Sequence, residues 1–133
     1  MKTKSTLLVL FMFVAVSFFS CKKDSTSTGN KIYYVIKATY DNPQDHSGII
    51  NAEVTHVALT MPGGTNSVSE NLSTPHTTAE RDYTSGMTVI ATCESVLTHV
   101  TVTVEIWRDG ALWKHQTVLG SSSYTEVTVT GTL

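Results

Sequence analysis

The chain has 133 residues, of which 15% are charged and 41% hydrophobic, and its formal net charge is −2 at pH 7. The part after residue 20 is long enough for one domain and too short for two. Lys2 and Lys4 precede that part, so the remainder is more acidic still. A mildly acidic domain lacks the basic surface that nucleic acid requires, which excludes nucleic acid as a partner.

Residues 1–20 form the first segment. Lys2 and Lys4 open it, and an apolar run follows over residues 7–16 and resumes at Phe18 and Phe19. A basic start, a short apolar run and a small residue are typical of a cleaved secretory signal peptide. A membrane-spanning helix needs about 20 apolar residues, so a single-span anchor is the less favoured alternative.

Cys21 follows this segment directly, between Ser20 and the string Lys22-Lys23-Asp24. This junction resembles the signal of bacterial lipoproteins, in which the cysteine is lipidated on sulfur and becomes the mature N-terminus. Phe18 and Phe19 stand where that signal usually has Leu and a small residue. This looser pattern is similar to small lipoproteins of Bacteroidota-type Gram-negative bacteria.

The resemblance implies that Cys21 is the lipidation site and carries an acyl chain such as palmitate. Because Lys22 rather than Asp follows the cysteine, it also implies anchorage in the outer membrane, facing either the periplasm or the exterior. The membrane is then a partner through the N-terminal lipid. The alternative is an ordinary secreted protein that has a cysteine near its cleavage site.

Residues 21–30 are interpreted as the lipidated N-terminus and a flexible tether. Residues 25–30 (STSTGN) are small and polar, which is typical of flexible linkers. Together with residues 22–24 they reach about 30 Å when extended, so the domain over residues 31–133 is expected to stand clear of the bilayer.

Cys93 is the only cysteine besides Cys21, so lipidation of Cys21 leaves no intramolecular disulfide. Cys93 lies inside an apolar alternation, and unpaired cysteines are among the most buried residue types, so we predict that it is buried. The alternative is a reactive or intermolecular thiol.

Hydrophobic alternation with a period of two residues runs through residues 31–133 and predicts strands. The first strand covers residues 31–39, and residues 41–48 have the composition of a turn. A second strand is predicted over residues 49–61, with a bulge near Thr55 and His56, where the alternation changes phase. Residues 65–86 predict one short strand around Val68 and Leu72, followed by a long polar loop over residues 74–86.

Four further strands are predicted over residues 87–94, 100–107, 112–119 and 124–133. Asp109-Gly110 separates two of them and is the preferred sequence for a two-residue hairpin turn, because both central residues need positive φ. No segment shows a helical period. Six or seven short strands with frequent turns predict an all-β fold, an antiparallel β-sandwich of immunoglobulin-like shape that lacks the antibody disulfide.

A second resemblance covers the C-terminal residues. The segment Gly86-Met87-Thr88-Val89-Ile90-Ala91, the run from Val100 to Ile106, the Asp109-Gly110 turn and the closing Val-Thr-Gly-Thr-Leu resemble small membrane-anchored β-sandwich domains of the MmpS-like kind. That family is associated with envelope transport as an accessory component. The resemblance implies the fold and no site residues.

The Asp-Gly turn allows the hairpin to be registered. Pairing Arg108 with Ala111 sets Trp107 opposite Leu112, and the same register sets Glu105 opposite Lys114, Ile106 opposite Trp113 and Val104 opposite His115. The valine-rich face is expected to be the core, which makes Trp113 a core residue and places His115 on the core face. Trp107 then points outward among Thr101, Thr103 and Gln116.

An outward Trp on a polar sheet face is a platform for a sugar or a partner protein. Trp107 and Leu112 are therefore the candidate binding residues. The alternatives are that Trp107 is covered by a loop or merely packs on Leu112, and a register error of one residue would exchange the roles of Trp107 and Trp113.

Metal sites and catalytic sites are not predicted. The turn from Asp41 to Gly48 does not match the spacing of a calcium loop, because Pro43 and His46 stand at positions where that loop needs an oxygen ligand and a glycine. The five histidines show no metal-binding spacing. No nucleophile elbow, phosphate loop or dinucleotide fingerprint is present, so no catalytic residue, cofactor or enzyme activity is predicted.

Two functional hypotheses remain. The first is a non-catalytic binding or accessory module that is anchored in the cell envelope and works within an envelope protein complex. The second is a lipoprotein that binds a small ligand, either a carbohydrate through Trp107 or a metal through the histidines.

Overall fold

The computed structural model describes residues 29–62, 64, 66–120 and 124–133, and these form two antiparallel β-sheets packed face to face. The predicted antiparallel β-sandwich is therefore confirmed. The predicted signal peptide, the lipidation site Cys21 and the tether up to residue 28 lie outside the described residues.

Within the described ranges, seven strands of eight to ten residues and two very short strands build the two sheets. In chain order they are β1 (Lys31–Tyr40), β2 (Glu53–Thr60), β3 (Asn66–Ser73), β4 (His76–Thr77), β5 (Arg81–Asp82), β6 (Thr88–Ser95), β7 (Val100–Arg108), β8 (Ala111–Val118) and β9 (Thr125–Thr132). The first sheet has the order β4-β1-β7-β8, and β5 also pairs with β1. The second sheet has the order β3-β2-β6-β9.

The core lies between the two sheets and follows from the alternation. In β1 and β7 every second side chain is buried, and the nine-residue ladder that joins the two strands keeps these side chains in register. The buried side chains of the two strands are Ile32, Tyr34, Ile36, Ala38, Val100, Val102, Val104 and Ile106. Burying each Val or Ile side chain contributes about 1.5–3 kcal/mol, so this pair of strands is the centre of the fold.

Two hydroxyl groups connect the sheets through the core. The Tyr34 hydroxyl donates to the carbonyl oxygen of Thr60 at 2.8 Å, and burial raises the pKa of Tyr34 to about 12. The hydroxyl of Thr74, where the chain passes from β3 to β4, lies 2.9 Å from the carbonyl oxygen of Ala38 and 2.7 Å from that of Ala52. The buried Tyr34 hydroxyl thereby has a partner in the second sheet. The carbonyl oxygen of Ala38 also accepts from the backbone N–H of Ala52 at 2.9 Å, so it is paired without Thr74.

The second strand is shorter than predicted. It begins at Glu53, and the preceding Ile49 and Ile50 are exposed at 58% and 60%. The predicted turn contains a 3₁₀ helix over Pro43–His46, which Asn42 caps by accepting from the backbone N–H of Gln44. The apolar pair that suggested a strand therefore belongs to a loop.

The predicted change of phase in β2 is present, because Val54 and Val57 are both buried. The predicted bulge near Thr55 and His56 was wrong, because the register with β3 does not shift there. Instead, Thr55 and Asn71 face each other without pairing in the ladder, and Asn71 has a φ of 51°. The Thr55 hydroxyl donates to the carbonyl oxygen of Glu94 at 2.9 Å.

The predicted polar loop over residues 74–86 was wrong in part, since β4 and β5 lie within it and cover one edge of β1.

The β7–β8 hairpin begins as predicted and then departs from the prediction. Asp109 and Gly110 have φ values of 52° and 77°, Arg108 pairs with Ala111, and Trp107 pairs with Leu112. A β-bulge between Ile106 and Trp107 then shifts the register by one residue. The observed pairs are Ile106–Lys114, Glu105–His115 and Val104–Gln116, so the predicted Glu105–Lys114, Ile106–Trp113 and Val104–His115 pairs were wrong.

Trp113 is the extra residue of the bulge, and its ring packs against the core over Gly131 of β9. Two cations lie over the ring of Trp113: Cζ of Arg108 is 5.9 Å from the ring centroid, and Nζ of Lys114 is 5.2 Å from it. The bulge therefore turns the indole toward the second sheet. It also moves His115 off the core face, where it was wrongly predicted, and leaves it exposed.

A methyl group at Gly131 is expected to destabilise the domain, because an ideal Cβ there would lie 2.3 Å from Cη2 of Trp113. We predict that Gly131→Ala lowers the free energy of unfolding by about 1–3 kcal/mol, the usual range for overpacking. Chemical denaturation followed by far-UV circular dichroism measures this change.

Gly29→Ala is the matched control, since an added Cβ there would find its nearest atom at 3.9 Å. The double variant Gly131→Ala with Trp113→Leu should recover part of the lost stability. Equal stability of Gly131→Ala and Gly29→Ala would contradict the packing of the indole over Gly131.

The two ends of the sandwich differ in which chain segments they carry. β1 starts at Lys31, next to the Asp109-Gly110 turn, and this end is called the proximal end because Asn30 leads into it. The opposite end carries the loops 41–52 and 96–99 and the described residues 119, 120 and 124, and is called the distal end. Any tether before Asn30 therefore enters at the proximal end.

Candidate functional site

One row of large side chains crosses the outer face of the first sheet. Tyr33 of β1 pairs with Trp107 of β7, and Trp107 pairs with Leu112 of β8. Because the neighbouring residues Ile32, Tyr34 and Ile106 point into the core, Tyr33 and Trp107 point outward. Leu112 points the same way, because it pairs with Trp107. We call Tyr33, Trp107 and Leu112 the aromatic row.

The rings of Tyr33 and Trp107 are stacked, with centroids 5.8 Å apart and an angle of 10° between their planes. Trp107 is half-buried, and its Nε1 donates to Oε2 of Glu105 at 2.8 Å. Leu112 is 45% exposed beside it. The row therefore presents two nearly parallel rings and an aliphatic side chain, with one ring fixed in orientation by a hydrogen bond.

Glu105 is the electrostatic centre of this face. Its side chain is only 12% exposed, and it forms an ion pair with Nζ of Lys37 on β1 as well as the bond from Trp107. Burial raises the pKa of the Glu105 carboxyl, but the hydrogen bonds from Lys37 and Trp107 outweigh burial, so its pKa is lower than usual. The carboxylate therefore stays ionised near neutral pH, and both of its oxygens have partners.

Threonine side chains continue the face toward the distal end. The hydroxyls of Thr103 and Thr117 lie 2.8 Å apart across β7 and β8, and the Thr101 hydroxyl donates to Oδ1 of Asp41 at 2.6 Å. The face thus changes from aromatic at the proximal end to hydroxyl-rich at the distal end. Stacking groups beside hydroxyl groups suit a ligand that has both an apolar face and hydrogen-bonding edges.

The predicted surroundings of Trp107 need one correction. Trp107 lies on the outer face as predicted, together with Leu112, Thr101 and Thr103, but Gln116 and Lys114 are not its neighbours there. The bulge replaces them with Thr117 and His115.

Sequence reasoning missed Tyr33. The outward phase of Tyr33 is visible in the alternation of β1, but its pairing with Trp107 joins strands that are distant in sequence.

Two shallow grooves lie elsewhere on the described surface. One, of about 450 Å³, lies between the edge strands β8 and β9, where Nζ of Lys114 donates to the carbonyl oxygen of Thr130 at 3.0 Å. The other, of about 390 Å³, lies at the distal end between Tyr40, His46, Ile49 and Glu53. Neither groove includes a residue of the aromatic row.

The histidines are dispersed. Within the part of the chain that the structure describes, no three His, Cys, Asp or Glu side chains converge in a way that could hold a metal ion. His46 stacks on Tyr40, with centroids 3.6 Å apart, and His115 faces solvent opposite Glu105.

Cys93 is fully buried between the sheets, as predicted, and carries no disulfide. Burial raises the pKa of its thiol to about 12. Since the thiolate is the nucleophile, the thiol is unreactive at neutral pH, and the alternative of a reactive Cys93 loses its chemical basis.

No protein-family model matches the chain, and neither does any curated protein. Over the described residues, the structure has no helix that is long and apolar enough to cross a membrane.

The ion pair at Glu105 leads to a prediction about the stability of the domain at acidic pH. Because the folded pKa is lower than the unfolded value, the carboxylate stabilises the fold above about pH 4.5, and this contribution is lost as the pH falls through the folded pKa. We predict that Glu105→Gln lowers the free energy of unfolding by about 1 kcal/mol at neutral pH. Below about pH 4 the difference from the wild type should shrink.

Denaturation at a series of pH values measures this difference. Glu53→Gln is the control, because Glu53 is an exposed carboxylate at the start of β2. A constant difference between Glu105→Gln and the wild type at every pH would show that the carboxylate charge contributes nothing.

Proposed function

We propose that this protein is a non-catalytic binding or accessory module that is anchored by lipid on Cys21 in the outer membrane of a bacterial cell envelope. The observation that carries the proposal is the sequence of the N-terminal segment, in which a signal-like run ends at Ser20-Cys21 and a polar stretch follows. The fold supports it, because the chain enters the sandwich at the proximal end and each sheet has an exposed apolar side chain on its outer face, Leu112 at 45% and Val68 at 60%.

The likeness of the C-terminal residues to MmpS-like domains favours an accessory role beside an envelope complex. The aromatic row is the surface best suited to contact a partner, since aromatic side chains supply much of the binding energy of protein interfaces. Trp107 and Leu112 therefore remain the proposed binding residues, and Tyr33 joins them.

The test of anchorage is Cys21→Ser. Full-length protein expressed with its own N-terminal segment in a Gram-negative host should incorporate labelled fatty acid and fractionate with outer membranes. Because a serine provides no thioether, Cys21→Ser should lose the label and leave the membrane fraction, which fractionation and fluorography measure.

Cys93→Ala is the matched control and should remain labelled and membrane-bound, because Cys93 is buried in the domain. Wild-type protein without fatty acid would refute the anchor. In the same cells, a photoreactive residue placed at Leu112 should crosslink to an envelope protein. Its failure to crosslink to anything would remove the main support for the accessory role.

A second candidate function is binding of a carbohydrate on the aromatic row. The observation that favours it is the near-parallel orientation of the Tyr33 and Trp107 rings beside hydroxyl-bearing side chains. Pyranose rings have an apolar face that stacks on aromatic rings and hydroxyl groups at their edges. A metal ligand has less support, because the described histidines do not converge.

Trp107→Ala is expected to weaken binding of any oligosaccharide by about tenfold or more, since one stacking surface is lost. Trp107→Phe should retain most of the affinity, because Phe keeps the ring and lacks only the bond to Glu105. Calorimetry of full-length protein with a panel of soluble oligosaccharides measures both, with Val68→Ala on the second sheet as the control. Absence of heat with every oligosaccharide would reject this candidate.

A further inference from the structure

The distal end carries a cluster of exposed apolar side chains. Among the described residues, eight large hydrophobic side chains are exposed, and five of them belong to the distal loops or the residues next to them. These five, which we call the distal patch, are Ile49 (58% exposed), Ile50 (60%), Val96 (57%), Leu119 (73%) and Tyr124 (48%). Single exposed apolar residues are common, but a group of them at one end indicates an interaction surface.

Backbone hydrogen bonds hold these loops side by side. Three distal N–H groups each donate to a neighbouring loop or strand end: Tyr40 N to Ile50 O (2.9 Å), Asp41 N to His99 O (2.8 Å) and Gly120 N to Val100 O (3.1 Å). These bonds connect the loops 41–52 and 96–99 through Asp41 and His99, and they connect Gly120, next to Leu119, to the start of β7.

The charge of this end is uniform. Five carboxylates lie in the distal loops or within the terminal two residues of the adjoining strands: Asp41, Asp45, Glu53, Glu94 and Glu126. The described residues of the same region, 41–53, 94–99, 119, 120 and 124–126, include no Lys or Arg. At the proximal end both signs of charge are present, since Lys31 pairs with Asp82 and Arg108 with Asp109.

A groove of about 390 Å³ in this region combines the two properties. It is lined by Tyr40, His46, Ser47, Ile49, Asn51 and Glu53, and the rings of Tyr40 and His46 are stacked at an angle of 17°. Aromatic rings beside an acidic residue suit an arginine or lysine side chain, since such cations stack on aromatic rings and pair with carboxylates.

We propose that the distal patch docks a polypeptide surface of another protein, in which arginine or lysine residues are interleaved with apolar side chains. The apolar loops would supply contact area, and the surrounding carboxylates would select a basic partner. The same carboxylates repel anionic lipid headgroups, so the patch is not suited to an anionic bilayer. Only its position facing away from the membrane rests on the proposed lipid anchor.

Binding of a synthetic peptide with alternating Lys and Leu tests this inference. Full-length protein would be reconstituted in nanodiscs of zwitterionic lipid, and fluorescence anisotropy of the labelled peptide would measure the affinity. A photoreactive residue at Leu119 should crosslink to the peptide, whereas one at Val68, equally exposed on the second sheet at 60%, should not. Raising the salt concentration from about 0.05 to 0.5 M should weaken binding by about tenfold.

Two double variants separate the contribution of the apolar side chains from that of the carboxylates. The pair Ile50→Ser with Leu119→Ser should weaken binding by about tenfold, and so should Asp45→Asn with Glu126→Gln, while Val68→Ser should leave it unchanged. Cys21→Ser, prepared as soluble protein, should bind the peptide as tightly as the wild type. A failure of the proposed lipid anchor and a failure of peptide binding by the distal patch are therefore distinguishable.

Three outcomes would overturn the proposal. One is equal affinity for a peptide with alternating Glu and Leu, and another is binding of the patch to phosphatidylglycerol vesicles. The third is peptide binding that Trp107→Ala abolishes and the Ile50 and Leu119 variants leave intact, which would place the contact on the aromatic row.

Discussion

Pairing of β1 with β7 is the interaction on which the rest of the structure depends. These strands stand in the middle of the first sheet, and their inward side chains are almost completely inaccessible to solvent. With no disulfide among the described residues, stability has to come from this burial and from the hydrogen bonds that accompany it. The pairing also sets the environment of two buried residues. Tyr34 donates a hydrogen bond to the second sheet, and Cys93 faces the same core from the second sheet.

The same alternation that fills the core determines what the outer face displays. Because Ile106 and Val104 point inward, Trp107 and Glu105 point outward, and the ladder with β1 brings Tyr33 and Lys37 to them. The ion pair holds Glu105 in place, and the hydrogen bond from Nε1 then fixes the orientation of the Trp107 ring. Preorganisation of this kind lowers the entropy that a binding surface loses when a ligand arrives.

Much of the fold could be predicted from local sequence, and the parts that could not depend on distant residues. The alternation of hydrophobic and polar residues predicted β1 and β7, and Asp109-Gly110 predicted the hairpin turn. The bulge at Trp113 was not predictable, because it exists where Gly131 in the other sheet leaves room for the indole. Tyr33 was missed for a similar reason, since its partner is more than seventy residues away in the chain. The anchor at Cys21 and the binding role of Trp107 and Leu112 remain predictions.

The start of β1, which lies next to the Asp109-Gly110 turn, is held there by hydrogen bonds, and this has a mechanical consequence. Oδ1 of Asp109 accepts from the backbone N–H of Lys31 at 2.9 Å, and the Tyr83 hydroxyl donates to Oδ2 at 2.8 Å, so the first residue of the domain is held at the hairpin turn. A pull between the chain before Asn30 and the distal end acts along β1. Ladder hydrogen bonds lie perpendicular to antiparallel strands, so such a load shears all of them together rather than breaking them one by one. Force along this axis is therefore shared by the nine residue pairs that join β1 to β7.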